Sequence, residues 1–226
     1  MKQERAYHTR RDLIRSAAVA FDRHGYAHAT LSEISRQAGV SNGALHFHFD
    51  NKSALAAAVE AAAGETLRDT VREAYRGSRS ALRVLTDISV GLLRLLRGNV
   101  VFRAGFQLSC DPAWTPQLDL RAEWHKCVQR CVDEAVKDGS LHPGIAPRDA
   151  VSTIVAATTG FGLLGREEPE WVSQATINGF WVLLLPRISA EPHSAEPGGH
   201  NRRDLPETGR EFTELSQTGD HRTPSG

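Results

Sequence analysis

The sequence predicts an all-α fold. Apolar residues recur at three- and four-residue steps through most of the chain. Start and stop signals bound nearly every such segment. No stretch reads convincingly as a strand, and no internal repeat is present. The chain has 226 residues, 40% hydrophobic and 24% charged, which is ordinary globular usage and excludes full-length disorder. The apolar runs at 151–164 and 176–185 are too short and interrupted to cross a bilayer. Met1-Lys2-Gln3-Glu4-Arg5 lacks the apolar stretch of a signal peptide, so a cytoplasmic chain with no membrane partner is expected.

The elements follow in order. Leu13, Ala17, Ala20 and Phe21 form the apolar side of a first helix, with Arg11, Arg15 and Asp22 opposite and Gly25 as the stop. Thr30-Leu31-Ser32-Glu33 reads as a reciprocal capping box opening a short helix to Ala38. Gly39-Val40 turns the chain, and Ser41 can cap a third helix over 42–48. Asp50 or Asn51 caps a long fourth helix whose stripe is Leu55, Val59, Ala63, Leu67, Val71 and Tyr75, broken at Gly77-Ser78. Further helices are expected from Leu82 to Leu96, Val100 to Leu108, Leu118 to Val136, Pro147 to about Leu164, and Pro169 to Pro186. From Ser189 the chain holds four prolines, five glycines and only Leu205, Phe212 and Leu215 as large apolar residues, so 189–226 is expected to be disordered. The predicted organisation is 1–53, a three-helix helix-turn-helix domain; 54–188, a helical body; and the tail.

Charge is uneven although the formal net charge is zero. Residues 1–53 hold eight Lys and Arg against five Asp and Glu, together with half of the ten histidines. A basic head on an acidic body suggests that the head meets an anion. Cys110, Cys127 and Cys131 lack the spacing of a zinc knuckle or a redox motif, and buried thiols in a reducing compartment are expected. A thiol sensor is the rival reading for the Cys127–Cys131 pair. No metal site and no cofactor is expected.

Residues 30–49, TLSEISRQAGVSNGALHFHF, place two short helices around a Gly-containing turn, with the second sized for a major groove. Ile34 and Ala38 would pack against Val40, Leu45 and Phe49. Ser41, Asn42, Gly43 and Ala44 occupy the start of the second helix, where backbone amides and small side chains suit phosphate and base edges. Thr30, His46 and His48 can reach DNA, as can Arg10 from the first helix, and Lys52 can pair with backbone phosphate. The bland alternative is a small structural bundle.

Over residues 5–55 the chain resembles the DNA-binding domain of the TetR family of repressors. The matching positions are Thr9-Arg10, Ala17-Ala18, Phe21, Gly25-Tyr26, Thr30, Ile34, Ala38-Gly39-Val40-Ser41, Gly43-Ala44-Leu45, His48-Phe49, Lys52 and Leu55. The resemblance implies a homodimer on a pseudo-palindromic double-stranded operator, joined through its last two helices. Ile154, Phe161, Ile177, Phe180 and Trp181 are the dimerisation candidates. Asn42 stands where a Lys is common in the family, and His46 where a Tyr is common, which implies altered affinity or operator preference.

Val101-Phe102-Arg103-Ala104-Gly105-Phe106-Gln107-Leu108 with Glu123-Trp124 is similar to the γ-butyrolactone receptors of antibiotic-producing actinobacteria. That likeness implies a pocket for a small apolar signalling ligand, with Trp124 over the ligand and Thr158 offering a hydrogen bond. Phe102, Phe106 and Ile88 complete the candidate lining. Trp124 could equally be plain core, and Thr158 could bond back to its own helix. Such receptors often carry a Gln on the fourth helix where this chain has Ala63. The departure favours a pseudo-receptor that answers to an antibiotic or its intermediate. The expected function is a ligand-responsive transcriptional repressor of antibiotic or secondary-metabolite genes. The alternative is a TetR-type regulator of an efflux pump or of lipid metabolism.

An enzyme is not expected. Gly160-Phe161-Gly162-Leu163-Leu164-Gly165 fits the dinucleotide fingerprint, but that motif needs a βαβ unit and an acidic residue about twenty positions on. Near Pro186 only Glu191 is available. Close helix packing explains the glycines better.

Overall fold

The computed structural model describes residues 2–77 and 80–190. The elements are α1 (Lys2–His28), α2 (Leu31–Gln37), α3 (Asn42–His48), α4 (Lys52–Gly77), α5 (Ala81–Gly98), α6 (Val100–Leu108), α7 (Leu120–Lys137), α8 (Pro147–Leu164), a 3-10 turn (Pro169–Val172) and α9 (Gln174–Ile188). No helix among the described residues is long and apolar enough to cross a membrane.

Most boundaries follow the cap chemistry. Gly25 interrupts α1 at φ 71°, a left-handed conformation that favours glycine, and three more residues continue helically. Asn51, not Asp50, caps α4 through a 2.8 Å bond from the Ala54 amide. The Thr30 hydroxyl accepts from the Glu33 amide at 3.2 Å. The Glu33 carboxylate, expected to complete the box, lies 3.3 Å from His24 Nε2.

Two boundaries differ from expectation. Pro169 opens only the 3-10 turn, and Ser173 caps α9 by accepting from the Thr176 amide at 3.1 Å. Pro186 sits inside the last turn of α9, which continues to Ile188. A proline that near the C-terminus removes one donor without stopping the helix. Ser189 forms an isolated antiparallel bridge with Leu141, so the change of character at 189 begins within ordered chain. The expected disorder of 191–226 falls outside the described residues.

The fingerprint-like glycines lie in and just beyond α8. A Cβ on Gly162 would stand 3.0 Å from Leu96 and 3.2 Å from Phe106, and one on Gly165 would stand 2.6 Å from Val172. Gly162 and Gly165 serve close packing, as expected, whereas Gly160 has open space about it.

Two apolar cores result. The N-terminal core gathers Leu13, Phe21, Ile34, Leu45 and Phe49 with Leu55 and Val59 of α4 and Ala104 and Leu108 of α6. The larger core gathers α5, α7, α8 and α9 with Ala63 and Leu67 of α4 and Phe102 and Phe106 of α6. Both α4 and α6 therefore belong to both cores, each presenting a different stretch or face to each.

Polar contacts reinforce this junction. Arg103 Nε and Nη2 donate to the Asp22 carboxylate of α1 at 2.8–3.0 Å, and Nη1 donates to the Leu96 carbonyl at 3.2 Å. The α6–α7 loop reaches α1 as well. Asp111 Oδ2 accepts from the Tyr26 amide at 2.8 Å, and the Trp114 and Tyr26 rings lie 4.7 Å apart. Glu60 of α4, fully buried, fixes the rest of that loop. It accepts from Trp114 Nε1 at 2.7 Å and from the amides of Gln117 and Leu118 at 3.0 and 3.3 Å.

Burial raises the Glu60 carboxyl above the ordinary glutamate range, outweighing the three donors that favour its charged form. A raised folded value means a stabilising contribution that is full below the unfolded value and lost as pH rises through the folded one. Glu60→Gln replaces one acceptor by a donor facing N–H groups, at a cost of about 1–3 kcal/mol. Urea unfolding should show a larger gap between wild type and variant near about pH 4.5 than near about pH 8.

Candidate nucleic-acid interface and ligand pocket

The helix-turn-helix is held from beneath by fully buried Ile34 and Leu45 and nearly buried Phe49. Gly39, at φ 69°, makes the turn between α2 and α3, and the Val40 amide donates to the Ser35 carbonyl at 3.0 Å. Ser41 caps α3 by accepting from the Ala44 amide at 3.2 Å. With the apolar side of α3 committed to the core, its other side is set by geometry. Ser41, Asn42, Gly43 and His46 are exposed, whereas Ala44 and His48 are half-buried.

One end of the Asn42 amide is tied to Ser35 Oγ at 2.6 Å, which leaves the other end turned outward. Arg10 stacks its guanidinium 5.1 Å from the centre of the Phe49 ring, beside the C-terminus of α3. Sequence reasoning missed Phe47. It is 81% exposed, the most exposed large apolar side chain on the helix, with its ring 5.2 Å from that of His48. The signal was available: Phe47 lies two residues from Leu45, close to the opposite face. An exposed aromatic there suits contact with a thymine methyl group.

Lys52, expected to pair with phosphate, is held by carbonyls of its own chain. Its ammonium carries three protons, and three carbonyls accept them: Tyr26 at 2.8 Å, Ala27 at 3.1 Å and Ala29 at 3.1 Å. It also lies 4.6 Å from the centre of the Tyr26 ring. A cation near the C-terminus of α1 meets the negative end of the helix and its unpaired carbonyls. The residue thus fastens the start of α4 to the end of α1.

In the body the apolar ligand candidates share the larger core, and Trp124 bonds Thr158. Trp124, Thr158, Ile88 and Phe102 are fully buried, and Phe106 nearly so. Trp124 Nε1 donates to Thr158 Oγ1 at 2.8 Å, and that hydroxyl donates to the Ile154 carbonyl at 2.7 Å. Thr158 therefore bonds back to its own helix and also receives the indole. The two polar groups satisfy each other in an otherwise apolar setting. Ala63 is buried close against Gly105, where a Cβ would stand 2.6 Å away, so α4 offers no polar group there. Gln107 was also missed. It is buried in the apolar run of α6 with Oε1 unpartnered among the described residues.

The dimerisation candidates divide. Ile154, Ile177 and Trp181 are buried in the chain's own core and present no outer surface. Phe161 and Phe180 are half-buried and pack edge to face at 5.7 Å. The outer stripe of α8 and α9 consists of other residues: Leu163, Leu164, Val182 and Leu183 are exposed, and Gly160 and Gly179 have open space above them. Both helices are apolar on more than one side, so composition alone did not tell the inner side from the outer.

Comparison with known proteins decides the family. Residues 13–59 match the model for bacterial regulatory proteins of the tetR family. Over 220 residues the chain is 31% identical to the A-factor receptor protein of Streptomyces griseus, covering 96% of this chain and 76% of that protein. The chain belongs to the TetR family. Within the TetR family it is of the γ-butyrolactone-receptor type. A crystal structure of a γ-butyrolactone receptor (ArpA-like protein) superposes with a TM-score of 0.72 at 30% identity, covering 82% of this chain and 90% of that one. CprB from Streptomyces coelicolor, solved with its biological operator sequence, superposes with a TM-score of 0.69 at 32% identity, covering 81% and 90%.

Lys52→Met should lower stability by about 1–3 kcal/mol, because three carbonyls lose a charged donor. The dependence of operator affinity on salt should keep its slope. A phosphate contact would instead reduce that slope by about one, so titrations at several salt concentrations separate the two roles.

Proposed function

We propose that this TetR-family chain acts as a homodimeric repressor released from its operator by a small apolar ligand. Residues 1–53 are the reading head and 54–188 the body. The observation that carries the reading is the exposed edge of α3, with Ser41, Asn42, Gly43, His46 and Phe47 outward over the packed Ile34–Leu45–Phe49 core. Such an edge fits a major groove. That CprB, 32% identical, forms a complex with its biological operator sequence supports DNA binding.

The Trp124–Thr158 pair is the centre of the ligand site. A lactone carbonyl or ring oxygen can take the place of one partner: the indole N–H then donates to the ligand, and the hydroxyl keeps its bond to Ile154. Entry must part Trp124 from Thr158, and α4, shared by both cores, carries the displacement to the head. The ligand must bind the DNA-incompetent state better by about 1–3 kcal/mol to weaken operator binding about 5–150-fold. Ala63 removes a polar anchor from α4, which favours an antibiotic or its intermediate over a simple butyrolactone. The controlled genes are then those of antibiotic or secondary-metabolite production. The protein binds its ligand and does not transform it.

A gel shift on the gene's own upstream region tests this. A shift released by synthetic butyrolactone supports a true receptor, and one released only by culture extract supports the pseudo-receptor. Absence of any shift counts against the reading. Trp124→Phe keeps most of the volume and removes the N–H, so release should weaken at least tenfold while operator affinity holds. Leu183→Glu places a charge on the outer stripe of α9 and should give monomers by analytical ultracentrifugation, with the helical circular dichroism unchanged.

A further inference from the structure

The flank of α7 beside Trp124 carries Glu123, Lys126, Cys127 and Arg130, and faces Gly64, Leu67, Arg68, Val71 and Arg72 of α4 across a groove of about 340 Å3. Leu118 closes one end. Gly64 lets Leu118 seat against α4 at this end of the groove: a Cβ there would stand 2.4 Å from Leu118 Cδ2 and 3.6 Å from Arg68 Nη1.

Its floor and rim have opposite chemistry. Leu67, Val71, Leu118 and Cys127 make an apolar slot. Four cations border it against the single carboxylate of Glu123. Lys126 bonds Glu123 at 2.8 Å, and Arg72 pairs with Asp69. Arg68 and Arg130 have no carboxylate within ion-pair distance among the described residues. An apolar slot with two uncommitted guanidinium groups at its mouth is the complement of a short hydrocarbon ending in a carboxylate. The chain leaves water along the floor, and the head group takes planar, charge-assisted hydrogen bonds. A neutral lactone can accept a hydrogen bond from those arginines but gains neither the charge pairing nor the bidentate geometry of a carboxylate.

We propose that this groove binds a small amphipathic carboxylic acid, at a site separate from the Trp124–Thr158 pair. The site goes beyond the function proposed above and does not depend on it. Because it lies between α4 and α7, an occupant bears directly on the helix that both cores share.

Equilibrium dialysis of the full chain against radiolabelled octanoate, with octanol as the neutral probe, tests the proposal. One saturable octanoate site is expected, with octanol at least tenfold weaker. The double variant Arg68→Gln, Arg130→Gln should weaken octanoate at least tenfold. Val71→Trp, which fills the slot, should abolish binding, and Trp124→Phe should leave it unchanged. Absence of octanoate binding, equal binding of octanol, or indifference to the arginine and Val71 variants would overturn the proposal. Loss of binding in Trp124→Phe would overturn it too, by placing the acid in the central pocket.

Discussion

The rest of the structure depends on how closely α4 and α6 approach one another. At Gly105 a Cβ would meet Ala63 Cβ at 2.6 Å, Leu120 at 3.1 Å and the Val59 carbonyl at 3.5 Å. The Ala63 methyl, fixed on its helix, and the Val59 backbone cannot swing aside, although the Leu120 side-chain end can. A side chain at 105 would force the two helices apart. Since each helix contributes to both cores, that separation would loosen the head and the body together. The Arg103–Asp22 pair and the Glu60-anchored loop are set beside this crossing and can form only where it holds α1, α4 and α6 in register.

Most of the fold was legible because local chemistry and global pattern agree. The capping residues Thr30, Ser41, Ser80, Asn99 and Asp119 each accept the amide bonds their types favour. The α4 stripe is buried from Leu55 to Leu67, while Val71 is half-buried and Tyr75 is exposed. Side chains lie elsewhere than expected where a residue type has two good uses. Lysine near the start of a helix can meet an external phosphate or an internal carbonyl, and only the position of the end of α1 decides between them. Ile154, Ile177 and Trp181 are as apolar as Val182 and Leu183. Which side of α9 meets its own core is a tertiary fact.

The ligand candidates show a further limit. Spacing and resemblance brought Trp124 and Thr158 to notice, but not their direct bond, because residues 34 positions apart meet only through the packing of α7 on α8. Burial of the pair leaves no unmet donor in the resting state. A polar ligand atom therefore competes with an existing hydrogen bond and gains only the difference between the two. At the proposed site, selectivity would come from the shape of the surrounding apolar core as much as from the polar contact.

The clamp at Lys52 bears on what evolution can alter independently. One ammonium ties the end of α1 to the start of α4, so a displacement of α4 would carry the end of α1 with it. A signal arriving along α4 can change the angle and separation of the heads but not the chemistry of the edge they present. Which bases are read and whether reading is switched off are thus inherited as separate traits. Exposed positions of α3 can drift to new operators without retuning the sensor, and the body can acquire new effectors without relearning its DNA.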